Sequence, residues 1–220
     1  MSASSQRIAV FAYGSLVRSQ SAAELLGRPI VGARPARLVG WQRRWSLKRH
    51  NLTCEKTFAR SQDGSKPKWV LALNIEPVRV QGPAITEGGP GATEPDERPN
   101  GLLIPTTDQE LARFDQREMR YDRIDVSGQV HVSARDGGAE TGPDFARVVA
   151  YSAQPDHYAA RPPDDAVILR SYVLAVERAF ARLGASELSD YHLSTEVPPV
   201  EVVDGTLVAD SIPAGNPRDW

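Results

Sequence analysis

Ile8-Ala9-Val10-Phe11-Ala12-Tyr13-Gly14-Ser15-Leu16 is the stretch from which the fold is read. An apolar run, β-branched and aromatic in part, meets Gly14-Ser15; so short a run, stopped by turn residues, predicts a buried strand entering a tight turn. Working outward, the same kind of pattern recurs. Trp41, Trp45 and Leu47 alternate with polar residues, with Arg43 on their face, and Trp69–Ile75, Gly101–Pro105 and Ala146–Tyr151 read as further strands. Tyr121–Val126 and Val130–Val132 predict two more about a Ser127-Gly128 turn. Helices are fewer. Ser21 and Glu24 have capping-box spacing ahead of Leu25-Leu26, with Gly27 as the stop. Thr107 and Glu110 repeat that spacing at the head of a helix over Thr107–Glu118. The longest helix is expected after Pro162-Pro163, capped by Asp164 or Asp165, on a stripe of Leu169, Tyr172, Val173, Val176, Phe180 and Leu183, and ended by Gly184. Glu201–Ala209 predicts a hairpin about Asp204-Gly205. Strands in mixed order with few helices predict an α+β fold with a curled or barrel-like sheet.

The 220 residues suffice for one sizeable core. Residues 8–195 read as a single domain and 196–220 as a C-terminal extension. Residues 81–100, rich in Gly, Pro and acids, read as a flexible loop, either a lid or a solvated insertion, and 134–144 as a second polar loop. With 40% hydrophobic and 25% charged residues the chain is not disordered. The net charge of 26 − 28 = −2 gives no electrostatic reason to expect nucleic acid or an anionic membrane as partner. Cys54, the single cysteine, cannot form an internal disulfide. The polar start and the short run Ile8–Tyr13 are unlike a signal peptide or a membrane span, so the expectation is a cytoplasmic protein. The oligomeric state is not legible.

Common catalytic sets are missing. The four histidines form no HxH or HExxH spacing, and there is no GxSxG, P-loop or GxGxxG, so no metal, nucleotide cofactor or covalent nucleophile is expected. Two features remain. Tyr13-Gly14-Ser15-Leu16 either aims successive N–H groups into an anion nest or is an ordinary strand-ending turn. Glu118 follows Leu111 at i+7 and Phe114 at i+4, which places a carboxylate on the apolar face of its helix. Such an acid is either a general base with its pKa raised by burial or a structural acid paired with Arg117 or Arg123.

These features and their flanks resemble the gamma-glutamylcyclotransferase family. FAYGSL (Phe11–Leu16) is similar to its strand-and-loop motif, and FDQREMRYDR (Phe114–Arg123) to its D-x-x-E motif followed by Tyr and often Arg. GWQRRWSL (Gly40–Leu47) resembles a stretch of the glutathione-specific, ChaC-type branch. Leu16 stands where other branches have Asn, and Met119 where they often have Gly. The resemblance implies a gamma-glutamylcyclotransferase-like mixed barrel or roll flanked by a few helices, with Glu118 as catalytic acid and base. It also implies a substrate pocket drawn from Tyr13, Gly14, Ser15, Leu16, Val17, Tyr121, Arg123 and Tyr172. The implied partner is a small γ-glutamyl compound whose own α-amine attacks its γ-carbonyl, releasing 5-oxoproline; no cofactor is implied. The alternatives are a non-catalytic member of the fold that binds a small acidic ligand or a protein, and an enzyme that cleaves another acyl amide.

Overall fold

The computed structural model describes residues 7–78, 97–132, 142 and 144–212. Of the predicted loop 81–100 only 97–100 fall among them; the loop 134–144, except 142 and 144, and residues 213–220 lie outside. In chain order the elements are β1 (Ile8–Ala12), α1 (Ser19–Leu26), β2 (Arg34–Leu38), β3 (Trp41–His50), β4 (Lys56–Arg60), β5 (Trp69–Pro77), β6 (Asn100–Thr106) and α2 (Asp108–Arg117). There follow β7 (Tyr121–Asp125), β8 (Val130–Val132), β9 (Arg147–Ala153), β10 (Ala166–Leu169), α3 (Arg170–Leu183), α4 (Ala185–Leu193), β11 (Val202–Val203) and β12 (Gly205–Asp210).

β1 is buried at every position, as an unbroken apolar run requires of a central strand. It pairs antiparallel with β6 and parallel with β9 in a sheet ordered β7-β9-β1-β6-β2-β8. The edge strands β7 and β8 are nearly consecutive in the chain. From Asp125 to Val130 the backbone spans at most about 17 Å, whereas five flat inter-strand gaps amount to about 24 Å. The sheet must therefore curl. Its edges do not pair, so the result is an open roll in a mixed α+β fold and not a closed barrel. A second sheet, β11-β10-β5-β3, and a two-stranded ribbon of β12 and β4 complete the framework.

Arg43 fastens the helices to this framework. It is 1% exposed and buried with Trp45, as the alternation predicts; Leu47 does not share their face, because the register of β3 against β5 shifts between Arg44 and Leu47. Its guanidinium lies 5.1 and 5.0 Å from the ring centroids of Phe180 and Tyr191, which stack on each other at 4.7 Å. It also donates to Thr195 Oγ1 at 3.0 Å and to Asn100 Oδ1. Burial brings its pKa down to about 10.

Three local expectations are corrected. Asp164 and Asp165 cap no helix: Ala166–Leu169 is a buried strand, parallel to β5 and β11, and α3 begins at Arg170 without a side-chain cap. Four apolar residues in a row satisfy a strand between two neighbours better than a helix with one wet face. Asp165 instead takes φ 56° and accepts the Lys68 N–H at 2.7 Å. Glu201–Ala209 is no hairpin, since Val202-Val203 pairs with β10 and Gly205–Asp210 with β4. Ser21 is not an N-cap; α1 starts two residues earlier, although Gly27 does end it in the left-handed conformation.

Candidate active site

The site is assembled at the ends of β1 and α2. Past Tyr13 the chain leaves the sheet and closes a 3-10 turn over Ser15–Val17, with the Val17 N–H bonded to the Gly14 carbonyl at 3.0 Å. The leading N–H groups of such a turn have no partner within it and so can face a ligand. Gly14 has φ −132°, so a positive φ is not the reason for glycine here. Proximity replaces it: a Cβ on Gly14 would lie 3.2 Å from the Tyr172 hydroxyl.

α2 begins with the predicted capping box, in which the Glu110 N–H donates to Thr107 Oγ1 at 3.3 Å and the Thr107 N–H to Glu110 Oε2 at 3.0 Å. It ends at Arg117, one residue short of the expected boundary, with Glu118 as C-cap. The two readings of Glu118 meet here. Its side chain is 13% exposed and pairs with Arg117, yet it also faces the cavity. Arg117, 5% exposed, donates to Glu118 Oε1 and reaches Ser15 Oγ at 3.3 Å, so it ties the acid to the turn.

Two connected lobes share Ser15, Glu118, Tyr121 and Tyr172. The narrow one, of about 40 Å³, adds Tyr13, Gly14, Leu16, Leu73 and Tyr151. The wider one, of about 70 Å³, runs over apolar residues of β3, β5 and β10 and carries Arg49, Arg117 and Arg120. The Tyr13 hydroxyl donates to the Tyr151 carbonyl at 2.5 Å, and the Tyr121 hydroxyl to the Leu73 carbonyl at 2.8 Å. Their protons being committed to backbone, these oxygens offer lone pairs to the cavity. Burial first, and then nearby groups including the Glu118 charge, hold the phenols of Tyr13, Tyr121 and Tyr172 above their ordinary range, so they stay neutral.

Of the residues expected at the site, Tyr13, Gly14, Ser15, Leu16, Glu118, Tyr121 and Tyr172 line one lobe or both. Val17 does not: it is 1% exposed and belongs to the core. Nor does Arg123, which ion-pairs with Asp115 at 3.1 Å, outside both linings. The arginines that do line the cavity were not expected. Arg117 is legible only as the neighbour of the acid, and Arg49 gives no signal beyond an alternating strand pattern. Among the described residues no three His, Cys, Asp or Glu side chains cluster as a metal ion would need.

The sequence matches no protein-family profile and no curated protein. Among solved structures, a gamma-glutamyl cyclotransferase matches over 88% of this chain and 89% of its own, with a TM-score of 0.50 and 15% identity. A yeast gamma-glutamyl cyclotransferase specific to glutathione matches over 86% of this chain and 96% of its own, with a TM-score of 0.49 and 14% identity. The first likeness shows the fold: this chain is built as a gamma-glutamyl cyclotransferase is.

Proposed function

We propose that the chain is a gamma-glutamyl cyclotransferase, converting a γ-glutamyl amide, glutathione among them, into 5-oxoproline and a free amine. The observation that carries this reading is the Glu118 carboxylate, placed in one cleft beside both the Gly14-Ser15-Leu16 turn and the tyrosine cluster. The narrow lobe suits the γ-glutamyl head. Lone pairs on Tyr13 and Tyr121 and the Glu118 carboxylate accept from the α-ammonium, and N–H groups of the turn hold an anionic oxygen.

The reaction is a transfer within the substrate. Glu118 takes a proton from the α-ammonium, and the freed nitrogen attacks the γ-carbonyl, forming the new C–N bond of a five-membered lactam. The developing oxyanion lies against the turn. Glu118 returns protons shed by the attacking nitrogen to the leaving nitrogen, whose bond to carbon then breaks. No water is consumed and no enzyme nucleophile is needed. That is in keeping with a site lined by a carboxylate, hydroxyls and guanidinium groups. Incubating the protein with a panel of γ-glutamyl compounds and assaying 5-oxoproline tests the reading. Production from at least one is expected. Compounds that bind, by calorimetry, yet yield none would instead favour a non-catalytic member of the fold.

A further inference from the structure

Resting on the cyclotransferase reading, we propose that the wider lobe is the subsite of the leaving amine, and that Arg49 and Arg120 select an amine that carries a carboxylate. Because the lobes meet at Glu118, a substrate amide at the acid has its acyl part in one and its amine part in the other. The tyrosine-lined lobe matches a head bearing both an ammonium and a carboxylate. The wider lobe has an apolar floor, including Leu47, Val70 and Leu169, that suits the carbon body of an amine.

Its charge sets the other requirement. Three guanidinium groups and one carboxylate line this lobe, and Glu55, bonded to Arg120 at 3.0 and 2.5 Å, offsets one more positive charge. A single anionic group on the leaving amine restores balance, whereas a second ammonium, as in a diamine, faces like charge. Both selecting arginines are held in place by other groups of the protein. Arg49 is 6% exposed, donates to the Lys56 carbonyl and lies 5.3 Å from the Phe58 ring centroid; Arg120 is 7% exposed and forked on Glu55. Side chains already fixed lose little freedom when they bind. Arg49 comes from β3, Arg120 from the link between α2 and β7, and the Asn51–Glu55 turn supplies the acid that orients Arg120.

The deciding comparison is γ-glutamylalanine against γ-glutamylethylamide, which differ only by the carboxylate on the leaving amine. For the wild-type protein kcat/KM should favour the alanine compound about tenfold or more, as a charge-assisted contact implies. The amide of 1,4-diaminobutane should be the poorest of the three. Arg49→Gln should erase most of the alanine preference through a higher KM for that compound, and Arg49→Lys should restore part of it, with thermal melting as the check on folding. Arg120→Gln should act likewise; if it fails to fold, the wild-type ratio and the Arg49 variants still decide. Equal kcat/KM for alanine and ethylamide compounds overturns the subsite but leaves the cyclotransferase reading intact. A preference undiminished in the Arg49 variants removes that residue from selection. No 5-oxoproline from any compound overturns the underlying reading itself.

Discussion

Helix α2 carries a glutamate at each end, and the two sit in opposite electrical settings. Glu110, in the first turn, completes the capping box and takes a forked pair from Arg28 at 2.5 and 2.8 Å. The positive end of the helix favours its charge, and the Arg28 bonds, with help from Thr107, hold its pKa at about 2. Glu118 caps the other end, where the helix dipole disfavours an anion, and its charge is offset by Arg117 instead. One helix thus keeps one acid where it stabilises the fold and another where stability alone would not put it. An acid held against the dipole and beside a cavity is what the proposed base requires.

Substitution of each acid by its amide should separate the two. Glu118→Gln keeps shape and hydrogen-bonding capacity but removes the base. Turnover in the 5-oxoproline assay should fall on the order of 10²-fold or more, with the melting temperature nearly unchanged. Wild-type-like turnover would take Glu118 out of the mechanism and dissolve the contrast.

The turn facing Glu118 should respond next. Gly14→Ala puts a methyl 3.2 Å from the Tyr172 hydroxyl and should cut kcat/KM about tenfold, equivalent to about 1.4 kcal/mol. Adding Tyr172→Phe relieves the crowding, so the double variant should recover part of the loss relative to Gly14→Ala in Tyr172→Phe's own background. If the alanine is harmless, close approach is not why glycine stands there.

Glu110→Gln should show the smallest effect, and on stability alone: about 1–2 kcal/mol at neutral pH by denaturant unfolding. The pH dependence has a definite sign. Because the folded pKa lies below the ordinary value of 4.5, the contribution is complete above that value and fades as pH falls toward 2. The stability gap between wild type and Glu110→Gln should therefore narrow across that interval. A constant gap would mean that packing, and not charge, is what Glu110 supplies.

What the sequence made legible was local. The β1 run, the Thr107–Glu110 box and the Gly27 stop depend on neighbours a few residues apart, and each appears in the structure. The resemblance in FAYGSL and FDQREMRYDR located the acid and the turn opposite it. What depended on distant partners was lost. Ala166–Leu169 looked helical because its stripe runs on into α3, and only pairing on both sides with β5 and β11 makes it a strand. Arg123 looked like a substrate contact because of its place after the motif, but Asp115, a turn back along α2, takes it. Arg49 and Arg120 meet only when the β3 sheet closes against the start of β7, a juxtaposition no short window contains.

That dependence on distant partners has a temporal side, and it is clearest in one hydrogen bond. Tyr13 donates to a carbonyl 138 residues further on, and Tyr172, later still, stands over Gly14. During synthesis the turn is made long before β9 and α3 exist to enclose it. The first strand must wait, its apolar residues uncovered, for a parallel neighbour from the last third of the chain. A partial chain that ends between Glu118 and α3 has the acid without Tyr172 beside it. The candidate site is therefore complete only once α3 has been made.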